Sequence, residues 1–109
     1  HISAMEETQL ALIVKELFTN TLRYSNATYV TLSLKLLQVG TPHPSYTLEY
    51  HDFGHLDNVN KIKEGNGLKG MRERAASINA QATMTFSSHP GFTFTLAPNT
   101  HKTPLFTKR

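Results

Sequence analysis

The chain has no cysteine. That excludes disulfides, thiolate metal sites and a cysteine nucleophile, so its fold must rest on an ordinary core. No apolar run approaches the roughly 20 residues that a membrane-crossing helix needs. There is no internal repeat and no domain boundary. An excess of one charge is also missing. The formal net charge is +3, the basic residues are scattered, and a basic tail ends the chain. A dedicated nucleic-acid binder clusters its charge on one face, so nucleic acid is not an expected partner. The six histidines give a single pair at helical spacing, His51 and His55. That pair straddles a strand end and Gly54, and no metal site is read from it.

What is present is a chain of 109 residues with apolar side chains spread throughout. A single domain of this size buries roughly two-thirds of its unfolded surface. Residues 1–5 have no periodicity and end on a plausible start methionine, Met5. They are read as an expression scar and set apart from the fold. From Glu6 to Tyr24, Leu10, Ile13, Val14, Leu17 and Phe18 recur at helical spacing, which predicts a helix. Glu16, Asn20 and Arg23 stack along one side of it, at the border of the apolar stripe. Thr28 to Leu37 alternates, with Val30, Leu32, Leu34 and Leu36 on one side, which predicts a half-buried strand. Residues 40–45 read as a turn, and Tyr46 to Asp52 as the second strand of a hairpin.

Residues 55–66 are polar without a clear period and read as a mobile loop. A helix over about 68–79 follows, with Leu68, Met71, Ala75 and Ile78 on one stripe. Two further alternating strands, about 82–87 and 92–97, are joined by His89-Pro90-Gly91. The tail over 99–109 has little to bury and is expected to fray. Two helices and four strands, each with one apolar face, predict an α+β fold. It is a two-layer sandwich with the helices on one face of a mixed, mostly antiparallel sheet.

Three landmarks carry chemistry. Gly65, Gly67 and Gly70 fall within six residues where the second helix opens. Glycine permits close backbone approach, and a helix N-terminus offers unpaired N–H groups and partial positive charge, a combination suited to phosphate. The Asn20 side-chain oxygen suits Mg²⁺, which takes few protein ligands. Glu16, one turn away, is placed to orient or deprotonate a nucleophile. Asp52, at a strand end, is an acceptor for an exocyclic amino group such as that of adenine.

Together these stretches become recognisable. Residues 16–27, ELFTNTLRYSNA, resemble the N box of histidine-kinase ATP-binding domains. Asp52-Phe53-Gly54 resembles a reduced first glycine box. Residues 65–74, GNGLKGMRER, closely resemble the second glycine box of bacterial sensor kinases related to the nitrate, lipid-fluidity and cell-wall-stress sensors. Pro90-Gly91 followed by Thr93 resembles the closing strand pair of that family. The wider superfamily includes gyrase, heat-shock chaperone ATPases, MutL repair ATPases and anti-sigma serine kinases.

The resemblance covers about residues 6–98. It implies the Bergerat sandwich and an ATP site, with ATP and Mg²⁺ as cofactors. Asn20 would hold Mg²⁺ and phosphates, with Arg23 also in the nucleotide site and Glu16 as the catalytic or polar partner. Asp52 would bind the adenine amino group beside Gly54. Gly65, Gly67, Leu68 and Gly70 would form the lid hinge, and Thr93 would lie near the adenine end. The implied partners are a dimerisation domain carrying the phosphoacceptor histidine and a response regulator. The implied location is cytoplasmic. Lys61 and Lys63 lie in the expected lid. The sequence departs from the family at Phe53, usually polar, and at Leu56, usually glycine. It also departs at Tyr24, often histidine, at Asn79-Ala80, usually Gly-Gly, and at Phe92, often glycine. Two other readings stand beside the kinase domain: a docking module that keeps the fold, and an anti-sigma serine kinase.

Overall fold

The computed structural model describes residues 3–37, 45–86 and 91–98. The expected 40–45 turn, most of the 89–91 turn and the tail lie outside the described residues. Helix α1 spans Ala4–Tyr24, β1 Val30–Leu37, β2 Ser45–Asp52, α2 Val59–Glu64, α3 Asn66–Ser77, β3 Ala80–Phe86 and β4 Phe92–Pro98. Among the described residues no helix is long and apolar enough to cross a membrane.

Helix α1 begins two residues earlier than its apolar period indicates. Ser3 caps it: the Ser3 hydroxyl accepts from the Glu6 N–H at 3.1 Å, and the Glu6 carboxylate accepts from the Ser3 N–H at 3.0 Å. This reciprocal pair satisfies two of the helix's orphan donors. Helix α1 thus takes in Ala4 and Met5, with Ser3 as its cap. Leu10, Ile13 and Leu17 are buried as the stripe predicts.

The strands form one sheet in the order β1-β2-β4-β3. All three pairings among the described residues are antiparallel, so the expected mixed sheet is corrected. The segment between β2 and β3 carries α2 and α3 across the sheet. It sets β3 one strand away from β2, and β4 fills the gap antiparallel to both. In register, Tyr50 faces Phe94, and Phe94 faces Met84. These side chains, with Leu48 and Leu96, form the inner face and pack beneath the helices. The outer face carries Glu49, His51, Thr83, Thr85, Thr93 and Thr95, none of them buried.

Two expectations change. The supposed loop contains α2, which is fixed by Ile62, 3 % exposed, and by half-buried Val59. Two apolar residues in six are too few to register as a period, so tertiary contact decides this short helix. Strand β1 is less buried than expected: Val30 packs against the core, but Leu32 and Leu34 on the same side remain 45 % and 50 % exposed. The strand lies at the sheet edge, and Phe18, also expected in the core, is 41 % exposed. At the α3–β3 corner Asn79 has φ of 58°. Asparagine is the side chain that best tolerates this left-handed conformation after glycine, which explains how the chain turns without Gly-Gly.

Candidate functional site

The site is built around the last two turns of α1. The residues after the helix pair with the segment after β2. Asn26 N–H donates to the His55 carbonyl at 3.2 Å, and His55 N–H donates to Asn26 Oδ1 at 2.7 Å. Asp57 N–H donates to the Tyr24 carbonyl at 2.7 Å, and Ser25 bridges Leu56. This zipper holds the end of β2 against the end of α1. Gly54 is required by it: a Cβ there would stand 2.5 Å from Ser25 Oγ and 2.6 Å from Ala27 Cα. Leu56 is buried in the core at 4 % exposure.

Asp52 lies at the centre, 1 % exposed. Its Oδ1 accepts from Ser25 Oγ and from the Gly54 N–H, both at 2.8 Å. Its Oδ2 accepts from Thr21 Oγ1 at 2.8 Å. Thr21 Oγ1 is also 2.6 Å from Tyr50 Oη. Because the Thr21 proton is given to Asp52, Thr21 accepts from Tyr50. The result is a directed relay from Tyr50 through Thr21 to Asp52. Burial pushes the Tyr50 phenol up, and the negative charge of Asp52 adds to that. A carboxylate offers about four acceptor positions. With three of them taken, one position on Oδ2 is left for a further donor.

Asn20 is 5 % exposed, and its Nδ2 has no hydrogen-bond partner. A buried amide without a partner costs about 1–3 kcal/mol. It is also ready for an incoming ligand, since the amide can offer a donor to phosphate or an oxygen to a hard cation. Glu16, one turn earlier and half-buried, packs against Gly67, where a Cβ would overlap its carboxylate. Glu16, Thr19, Gly67, Gly70 and Arg74 line a groove of about 370 Å³ between α1 and α3. Neither Asn20 nor Asp52 lines that groove. Helix α1 is what joins the landmarks. Its residue 16 touches the mouth of α3, the Nδ2 of its residue 20 is unpartnered, and its residue 21 grips Asp52.

The remaining candidates divide. Gly65 is the N-cap of α3, and Leu68 is core. Arg23 sits exposed in the last turn of α1. Lys61 and Lys63 lie on α2, and the Lys63 ammonium stands over the Phe86 ring at 5.4 Å from its centroid. Thr93 is not brought to the cluster. It pairs with His51 on the outer face, 3.3 Å from His51 Nδ1. Strand alternation turns Phe92 and Phe94 inward and Thr93 away.

The residue that does meet Asp52 from this side is Gly91, just before β4. Its φ is 114°, and a Cβ there would stand 2.5 Å from Asp52 Oδ1. Thr21, Ser25, Tyr50 and Gly91 were all missed as site residues. Thr21 and Ser25 carry the one available signal, two hydroxyls spaced one helical turn apart beside Asn20.

No family model matches the chain. It is 41 % identical over 75 residues to Sensor protein VraS of Staphylococcus haemolyticus, a match covering 68 % of this chain and 20 % of that protein. The chain thus spans about a fifth of the length of the curated relative it matches. Over that matched stretch the chain is related to a sensor protein.

Proposed function

We propose that this domain binds Mg-ATP and serves as the catalytic part of a sensor histidine kinase. It would donate the γ-phosphoryl group to a histidine on a separate dimerisation domain, for relay to a response regulator. The observation that carries the reading is the buried Asn20 side chain, whose Nδ2 has no hydrogen-bond partner. It lies on the same helix as Glu16, which rests on α3, and Thr21, which binds Asp52. The relation to a sensor protein supports the same reading.

Asn20 would bind the metal and phosphates, and Mg²⁺ would neutralise phosphate charge, the main requirement of phosphoryl transfer. The free Oδ2 position of Asp52 would take the adenine amino group. Glu16 would orient the acceptor or a water. Gly65, Gly67, Leu68 and Gly70 would present the first turn of α3, and Arg23 would meet the outer phosphate charge. Thr93 has no part in this site.

Two features favour a second reading, a docking module without nucleotide. Leu56 fills the place of a family glycine with a buried side chain, and most acceptor capacity of Asp52 is already engaged. Calorimetric titration with a non-hydrolysable ATP analogue and Mg²⁺ separates the two. Binding that weakens at least tenfold in Asn20→Asp, through changed charge and lost amide donors, supports the nucleotide site. No binding at millimolar nucleotide sinks it in favour of docking.

A further inference from the structure

Strand β3 stands at one edge of the sheet, and among the described residues it pairs only with β4. An edge strand presents a row of unpaired N–H and C=O groups, and proteins commonly guard that row with charge or proline. The other edge strand, β1, carries Lys35, whereas Ala80–Phe86 holds neither a charge nor a proline. The cations beside this edge come instead from the helices. Lys63, Lys69 and Arg72 line a hollow of about 310 Å³ on the side of α3 opposite Gly67, Gly70 and Arg74. It shares no residue with the α1–α3 groove. Arg72 and Ala76 also line a second hollow, of about 500 Å³, whose other wall is β3 from Ala80 to Met84. The Lys63 ammonium stands over Phe86, at the far end of the same strand. Cations thus accompany the edge from Ala82 to Phe86, about 13 Å of strand. Glu73 is the one acidic side chain lining either hollow, and among the described residues none of the three cations is in an ion pair.

We propose that the β3 edge is a docking site for an extended acidic peptide segment, which adds to the sheet as a further strand and sets carboxylates at alternate positions against Arg72, Lys69 and Lys63. Main-chain hydrogen bonds to the edge fix the register, and every second side chain supplies specificity. Those side chains fall on the α3 side of the sheet, about 6.8 Å apart. Arg72 and Lys69 are about 4.5 Å apart along α3, and their long side chains make up the difference. Ala76, Ala80 and Ala82 leave room beside Arg72, whose guanidinium can take a carboxylate through two parallel bonds. A second copy of this chain fits badly, because pairing β3 with β3 brings two rows of cations together. The stretches of the chain outside the described residues hold no acidic side chain, so the segment comes from elsewhere.

Titration of the isotope-labelled full chain with a capped peptide alternating Thr and Glu, followed by NMR, tests this. Amide shifts are expected to move over Ala80–Phe86 and not over β1, with an affinity that falls as salt is added. The double reversal Lys69→Glu with Arg72→Glu, at two exposed positions, keeps the circular dichroism of the parent and weakens binding by at least about tenfold. A peptide of the same composition with its Glu residues in one block binds more weakly, because strand alternation turns some of them to the outer face. Equal affinity for the two peptides, or equally strong binding to phosphatidylserine vesicles, means attraction by charge alone and overturns the docking site. No binding at millimolar peptide, or shifts centred on the α1–α3 groove, overturns it as well. None of these outcomes bears on nucleotide binding, which uses the opposite side of α3.

Discussion

Replacing Asp52 tests the centre of the site directly. In Asp52→Ala three donors lose their acceptor: Thr21 Oγ1, Ser25 Oγ and the Gly54 N–H, each at 2.8 Å in the parent. The Gly54 N–H is buried and cannot turn, so it bears the full penalty for a stranded donor, about 1–3 kcal/mol. The two hydroxyls are half-buried and can rotate toward water, so each costs about 1 kcal/mol, the low end of that range. The sum is about 3–5 kcal/mol, a large part of the total stability of a domain this size. It lowers the melting temperature by about 12 °C or more.

Asp52→Asn keeps the volume, and its Oδ1 can still accept from Ser25 and Gly54. Its Nδ2, however, faces Thr21 Oγ1 and reverses the relay. Thr21 must then donate to Tyr50 Oη, and the Tyr50 proton is stranded. Losing charge assistance and stranding one donor costs about 2 kcal/mol, partly offset by no longer burying a charge. Urea unfolding followed by circular dichroism at neutral pH, with m held constant, measures both variants. An Ala variant within about 1 kcal/mol of the parent, or an Asn variant less stable than Ala, would refute the relay. The same numbers make Asp52→Asn the better variant for nucleotide titrations, since Ala confounds binding with folding.

Other expectations follow from the packing. Tyr46 is 3 % exposed, and its hydroxyl has no hydrogen bond of good geometry. Burial, and secondarily the Glu6 carboxylate, push it up from 10.0 to about 12. Below pH 10 the phenol is protonated folded or unfolded. Above that the unfolded chain ionises first, so stability falls by about 2–3 kcal/mol between pH 10 and 12. Tyr46→Phe removes this component, and an unchanged alkaline unfolding profile would count against it. Ser3→Ala breaks the capping pair and costs about 0.5–2 kcal/mol; a neutral result in thermal melts would mean the first turn of α1 frays in solution. Leu32→Ser and Leu34→Ser on the exposed edge shift stability by less than about 1 kcal/mol, whereas Leu48→Ala, in the core, costs about 2–5 kcal/mol. Similar costs at all three sites would mean that β1 is covered in solution.

The sequence by itself determined the elements whose apolar period runs long enough to read. The stripes of α1 and α3 and the inner faces of β2, β3 and β4 fall where periodicity puts them, because burial of one face sets the phase of a helix or strand. It also determined that Glu16 and Asn20 share one side of α1, since residues four apart on a helix stack; that Glu16 meets the mouth of α3 is a tertiary contact. Only the tertiary structure decided the rest. Helix α2 depends on Ile62 finding the core. Leu32 and Leu34 have the pattern of buried residues but occupy an edge that none of the described helices covers. Thr93 and Gly91 differ by two positions in sequence, yet Gly91 meets Asp52 while Thr93 faces the other side of the sheet. Asp52 is enclosed by hydroxyls from the end of α1 and its C-cap, Thr21 and Ser25, a contact made across the layers. Local pattern fixes which way a side chain faces within its own element; which partner stands opposite is set by how the elements pack.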